Sequence, residues 1–244
     1  QKKVVLALDT LGIPKLLIFM ASTKHAQTAS TACDLAIELL KCTPFETATA
    51  GLTHDEHGDP IAHMQKHFLD ILLSSGRQAH RLFLSLKHRM AHEKNHLERL
   101  AVGEDDHEDD ADEGEGEVHT VERTPEYTTL LALIEMLRYL CMGCYTPMQD
   151  LLHHQGDETV SDHSINVLVL ICEYLGSFDA LITANMKVQF SIPASDEDKK
   201  YPVEALGALQ QKEDEIVMLT EIYKLLTESV SGPNQQNQTL LCDM

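Results

Sequence analysis

The sequence lacks tryptophan, and aromatic residues make up only 5 % of its 244 residues. It also has no strand-like alternation of apolar and polar residues and no hairpin dipeptides of any weight. Its apolar segments are rich in leucine and alanine and rarely β-branched, which favours helices over strands. We therefore expect an all-α protein, folded as an α-solenoid or a helical bundle of successive helices with short turns.

Basic residues are scarce. Lys and Arg number 19 against 39 Asp and Glu, which gives a formal net charge of -20. Such a chain is repelled by DNA, RNA and anionic lipid, so we expect no nucleic-acid partner. No apolar run is long enough to span a bilayer, and no basic-then-apolar signal segment is present, so we expect no direct membrane insertion by this segment. The chain starts at Gln1, and we expect it to be a piece of a longer protein whose membrane part lies elsewhere.

Cysteines are too few for a disulfide framework. The six in the chain sit mostly in or beside apolar helical segments, which indicates a reducing compartment. Cys141 and Cys144 form a lone C-x-x-C motif. A structural zinc site needs a second pair, and a thioredoxin-type site needs a βαβ unit, so we expect thiols in the core.

An acidic segment divides the chain. Residues 104–117, EDDHEDDADEGEGE, contain almost no apolar side chain and cannot bury enough surface to offset the entropy of ordering. We predict an N-terminal helical part over residues 1–102, a disordered acidic linker over 103–124 and a second helical domain over 125–244.

The second domain is predicted from apolar residues at helical spacing. One stripe comprises Leu130, Leu133, Leu137, Leu140 and Cys144, and a second comprises Ile216, Leu219, Tyr223, Leu226 and Val230. Gly232 then ends the helix, since glycine accepts the left-handed conformation that follows a last turn, and Pro233 suits the start of a new helix. We predict a compact elbow of helix, Gly-Pro corner and second helix.

His92, Glu93 and His96 match the motif H-E-x-x-H. In zinc hydrolases two such histidines bind zinc one turn apart on a helix, and the glutamate polarises a water. No G-x-x-H follows, and a chain rich in His and Glu produces such matches by chance. A zinc-dependent hydrolase using this motif is an alternative function, and a solvated polar helix face is the simpler interpretation.

The elbow and the C-x-x-C region carry a resemblance to a known family. Leu226–Glu228, Gly232–Pro233 and Asn237–Gln238 resemble the pattern L-T-E-x-x-Q-G-P-x-x-x-N-Q of the inositol trisphosphate receptor and ryanodine receptor family. Arg138–Cys144 resembles the family run R-F-L-Q-L-L-C-E-G-H-N with a two-residue contraction. The match is to the cytosolic homology-associated region and to the armadillo-like helices before it, and the acidic linker falls where the family carries a variable charged insert.

The resemblance implies a calcium site that this sequence has largely lost. In the family, the Glu and His of C-E-G-H and the Glu and Gln of T-E-x-x-Q supply it. Met142 stands at the first Glu position, Cys144 at the His position and Ser231 at the Gln position, and only Glu228 is retained. Calcium prefers several oxygen ligands, and sulfur replaces them poorly, so we expect weak binding or none.

The resemblance also implies the function. We expect a non-enzymatic coupling and scaffold region of an intracellular ligand-gated calcium-release channel, without a cofactor, that transmits ligand-induced motion to the pore. Its partners would be the other domains and subunits of a homotetrameric channel. Its location would be the cytoplasmic face of the endoplasmic reticulum or another calcium store. Besides the zinc hydrolase, a free-standing armadillo-like adaptor is a further alternative.

Overall fold

A computed structural model describes residues 7–8, 10–41, 63–74, 77–102, 124–155, 164–190 and 203–243. In these residues the secondary structure is helical and no strand occurs, which confirms the all-α prediction. The helices are α1 (Ile13–Ala21), α2 (Ala26–Lys41), α3 (His63–Leu73), α4 (Arg77–Val102), α5 (Pro125–Cys141), α6 (Thr146–His153), α7 (Val167–Phe190), α8 (Val203–Val230) and α9 (Gln235–Asp243).

Each of the first six helices packs against the helix three places further along the chain. Contacts join α1 to α4, α2 to α5, α3 to α6, α4 to α7, α5 to α8 and α6 to α9. The helices α2, α5 and α8 thereby form one row, α4 and α7 form a second row, and the shorter helices α3 and α6 lie between them in sequence. A repeating unit of three helices stacked on its neighbour is an armadillo-like solenoid, as predicted.

The central helix of this stack is α5, which packs against α2 on the first half and α8 on the second. Its predicted apolar stripe is fully buried at Leu130, Leu133, Leu137 and Leu140. Burial of one such side chain contributes about 1.5–3 kcal/mol relative to exposure. These leucines belong to a hydrophobic cluster that also contains α1–α4 side chains, so the described helices before and after the acidic segment share one core. The stripe predicted for α8 is wrong, because Ile216 and Tyr223 are exposed and the buried face of that helix carries Met218, Ile222 and Leu225 instead.

Local sequence explains where the helices begin. Thr124 accepts a hydrogen bond from the backbone N–H of Tyr127, and Pro125 occupies the first position of α5, where its missing N–H costs nothing. Gly12 adopts a left-handed φ of 70° before α1, and Pro14 follows in the first turn. The predicted disordered linker, 103–124, lies outside the described residues apart from Thr124. No described helix has both the length and the apolar character needed to cross a bilayer.

The cysteine side chains differ in how deeply they are buried. Cys33 and Cys141 are fully buried, whereas Cys144 and Cys242 are exposed. The expectation of core thiols is therefore confirmed for Cys141 and wrong for Cys144, because Cys144 lies in a turn after the helix. Burial, with a smaller contribution from the neighbouring carboxylate of Asp34, raises the pKa of the Cys33 thiol to about 12 from an ordinary value of 9.0.

We expect a thiol reagent at pH 8 to modify Cys144 and Cys242 within seconds to minutes, and Cys33 only when the protein unfolds. The raised pKa of Cys33 also makes its contribution to stability pH-dependent. That contribution is complete below pH 9 and is lost as the pH rises toward about 12, because the unfolded state releases its proton first. Mass spectrometry of the labelled peptides checks the first statement, and rapid labelling of Cys33 in the folded protein would contradict it. Denaturant unfolding of the wild type and of Cys33→Ala from pH 9 to about 12 checks the second, and an equal loss of stability in both proteins would contradict it.

Candidate functional site

The predicted elbow is present at the end of α8. The helix ends at Val230, Gly232 follows with a left-handed φ of 83°, and α9 begins at Gln235. The positive φ confirms the role predicted for Gly232, since residues with a Cβ rarely adopt it.

The elbow packs against the turn that follows α5. That turn is itself left-handed at two successive residues, Gly143 with φ 76° and Cys144 with φ 60°. An ideal Cβ built on Gly232 would lie 2.8 Å from the Cβ of Cys144 and 3.2 Å from its Sγ. Glycine is therefore required at position 232 for two reasons, the backbone conformation and the close approach of the Cys144 side chain.

Three amide side chains hold the elbow together, and we call Gln149, Asn234 and Asn237 the amide clasp. The fully buried Gln149 donates through Nε2 to the backbone oxygens of Glu228, at 2.6 Å, and Ser231, at 3.0 Å. These are carbonyls at the end of α8 that lack an intrahelical partner. Asn237 donates in turn to the backbone oxygens of Gln149 and Ser229, at 3.2 and 3.0 Å. Asn234 donates to a carboxylate oxygen of Asp150 on α6, at 2.9 Å.

The preceding repeat contains a glutamine that forms the same kind of hydrogen bonds. Gln65 on α3 is buried and donates through Nε2 to the backbone oxygens of Tyr139 and Met142, both at 2.9 Å. In both repeats a glutamine in the first turn of the short helix caps the long helix two places further along the chain, and its two acceptors are three residues apart. The elbow is therefore a regular junction of the solenoid.

The resemblance predicts that Met142, Cys144, Glu228 and Ser231 stand at the positions of a calcium site. Met142 and Cys144 belong to the turn after α5, and Cys144 approaches Gly232, which follows Ser231 after the end of α8. Burial, and to a smaller extent the charge of Glu228, raise the pKa of the Cys141 thiol, which places that carboxylate near the same turn. The Ser231 hydroxyl donates to the backbone oxygen of Thr227 at 2.6 Å. Glu228 is the one carboxylate among the four positions, and within the described residues no group of three or more His, Cys, Asp or Glu is placed to hold a metal.

The H-E-x-x-H motif lies on α4, and its side chains differ in solvent exposure. The His92 side chain is 59 % exposed, whereas Glu93 is only 3 % exposed. Glu93 accepts a hydrogen bond from the Thr124 hydroxyl at 3.3 Å, which joins α4 to the start of α5. The same carboxylate lies 3.5 Å from His92 Nδ1. Its burial and its contact with Thr124 favour a packing role for Glu93.

One comparison with known proteins matches the part of the chain that contains the elbow. A family model described as "RyR and IP3R Homology associated" matches residues 124–244. No match was found to a curated protein or to a solved structure. The matched segment begins at the residue that caps α5 and contains the elbow with its amide clasp. Residues 124–244 of this chain belong to the RyR and IP3R Homology associated family.

Proposed function

We propose that this chain is a non-enzymatic coupling and scaffold region of an intracellular ligand-gated calcium-release channel of the inositol trisphosphate receptor type. It would transmit ligand-induced movement toward the pore. The observation that carries the proposal is the position of α5 between α2 and α8 in a stack whose second half, residues 124–244, is matched by the family model. Packed helices are close to incompressible, so a displacement of one helix moves the next.

Polar contacts between the helices support this mechanical role. The Arg138 Nε lies 2.9 Å from a carboxylate oxygen of Glu221 and joins α5 to α8, with both side chains mostly buried. Arg89 on α4 forms an ion pair with Glu126 on α5, and it donates to the backbone oxygen of Thr23 after α1 at 2.8 Å. Directional contacts of this kind resist sliding between packed helices more strongly than contacts between leucine side chains alone.

The location and partners follow from the proposed role. The chain would lie on the cytoplasmic face of the endoplasmic reticulum or of another calcium-store membrane, as part of a larger membrane protein. It would contact other domains and subunits of a homotetrameric channel.

Two measurements on the full-length protein test the coupling role. The complete reading frame should continue into several apolar spans, and ligand-driven calcium release from store vesicles should fall severalfold in Gln149→Leu. The exposed elbow variant Gln238→Ala is the control and should release calcium normally. A reading frame without apolar spans would favour the free-standing adaptor, and normal release in Gln149→Leu would contradict coupling through the elbow.

We further predict that the family calcium site is strongly weakened. Glu228 supplies one carboxylate, and Met142 and Cys144 offer sulfur atoms that calcium binds poorly. Calorimetry should therefore show calcium binding no tighter than about 1 mM at this site. The variant Glu228→Ala should leave the titration unchanged. Micromolar binding that Glu228→Ala abolishes would contradict the prediction.

A further inference from the structure

A cleft of about 660 Å³ opens between the end of α1, the first half of α4 and the start of α5. Its size falls within the range of small-molecule sites, roughly 300–1,000 Å³. Its walls carry three permanent cations, Lys24, Arg81 and Arg89, against the single carboxylate of Glu126. The whole chain has a net charge of -20, so this cationic excess is a local exception to the charge of the protein.

The cationic side chains of the cleft can form further hydrogen bonds and ion pairs. Arg89 is 5 % exposed, and its Nε has no hydrogen-bond partner among the described residues. Its other nitrogens bind Glu126 and the backbone oxygen of Thr23. Lys24 and Arg81 are exposed and form no ion pair within the part of the chain that the structure describes. A buried guanidinium with an unpaired donor is costly, and the negative charge of an anion in the cleft would offset part of that cost.

Two helix amino ends add to the positive potential. The helix α2 begins two residues after Lys24, and α5 begins at Pro125, beside Glu126. The two ends are adjacent, because the Thr129 hydroxyl of α5 donates to the backbone oxygen of Ala26 at 2.8 Å. Helix amino ends carry a partial positive charge that favours phosphate and other anions.

We propose that this cleft binds a small phosphate monoester whose organic part is apolar. The phosphate would lie between Arg81, Lys24 and the unpaired edge of Arg89. The half-exposed ring of Phe19 and the side chain of Leu84 line the same cleft and offer contact to the organic part. The repulsion from acidic residues elsewhere is weak here, since screening at physiological salt reduces it beyond about 8 Å.

Calorimetry of the whole chain with phenyl phosphate and with inorganic phosphate tests the proposal. Phenyl phosphate should bind several times more tightly than inorganic phosphate, and Phe19→Ala should remove that advantage. The exposed-residue variants Arg81→Ala and Lys24→Ala should each weaken binding about tenfold, because each removes a charge-assisted contact.

Lys87→Ala is the matched control, since Lys87 is an exposed cation on α4 outside the cleft. It should change the affinity less than twofold. No heat of binding with phenyl phosphate up to 10 mM (~100 times a Kd of 0.1 mM) would overturn the proposal. Equal weakening by Arg81→Ala and Lys87→Ala would overturn it as well, because it would indicate diffuse attraction to surface cations.

Discussion

Gly232→Ala should destabilise the protein by about 2–4 kcal/mol. The backbone at this residue has φ 83°, and a residue with a Cβ pays about 1–2 kcal/mol to adopt the left-handed conformation. The new Cβ would also lie 2.8 Å from the Cβ of Cys144, where one of the two backbones must shift. Overpacking of this kind costs about 1–3 kcal/mol. Denaturant unfolding followed by circular dichroism measures the sum.

Three control variants separate strain from overlap. Gly12 has φ 70° and open space around a built Cβ, so Gly12→Ala should cost only the strain, about 1–2 kcal/mol. In the Cys144→Gly background the overlap disappears, and Gly232→Ala should then cost as little as Gly12→Ala. In Cys144→Ala the Cβ remains, and the full cost should persist. Equal costs for Gly232→Ala in all three backgrounds would contradict the close contact between the elbow and the turn.

Gln149→Leu should destabilise the protein by about 2–3 kcal/mol. The change keeps the size of the side chain and removes the donor that Glu228 and Ser231 share through their backbone oxygens. A buried carbonyl left without a partner costs about 1–3 kcal/mol. Part of this cost is offset, because the leucine also removes the Oε1 of Gln149, which has no hydrogen-bond partner among the described residues.

Gln238→Ala is the matched control for the amide clasp. Gln238 caps the same helix through Nε2, at 2.9 Å from the backbone oxygens of both Val230 and Gly232, but its side chain is exposed. Water replaces the lost donor there, so the unfolding free energy should change by less than about 0.5 kcal/mol. Equal destabilisation by Gln149→Leu and Gln238→Ala would show that burial of the clasp contributes nothing.

Local chemistry made much of the fold predictable. The leucine stripe of α5, the Pro-Gly boundaries and the left-handed Gly232 each depend on neighbouring residues, and each is present as predicted. The three-helix repeat could not be recognised in the sequence. Stacking of helices requires only that their contacting faces be apolar, and many different residues meet that requirement. Gln65 and Gln149 illustrate the difficulty, since their acceptors are backbone oxygens 74 to 82 residues away, and every residue has one.

That the four residues of the candidate site form a degenerate calcium site stays a prediction, and the sequence contains less information on how the site is built. The resemblance grouped Met142, Cys144, Glu228 and Ser231, and the structure places these residues at one junction. The left-handed conformation of Cys144 could not be foreseen, because cysteine has no preference for it. The burial of Glu93 in the H-E-x-x-H motif depends on Thr124, which lies beyond the acidic segment and gives no local signal.

Native-state hydrogen exchange on the wild type and Gln149→Leu tests the central claim most directly, namely that the stacked helices α2, α5 and α8 respond as one mechanical unit. Amides in α2, α5 and α8 should open with one common free energy, since these helices form the continuous row. The account predicts that Gln149→Leu lowers this free energy by the same amount in all three helices, including α2 in the first half. Loss of protection confined to α8 and α9, with α2 and α5 unchanged, would contradict it.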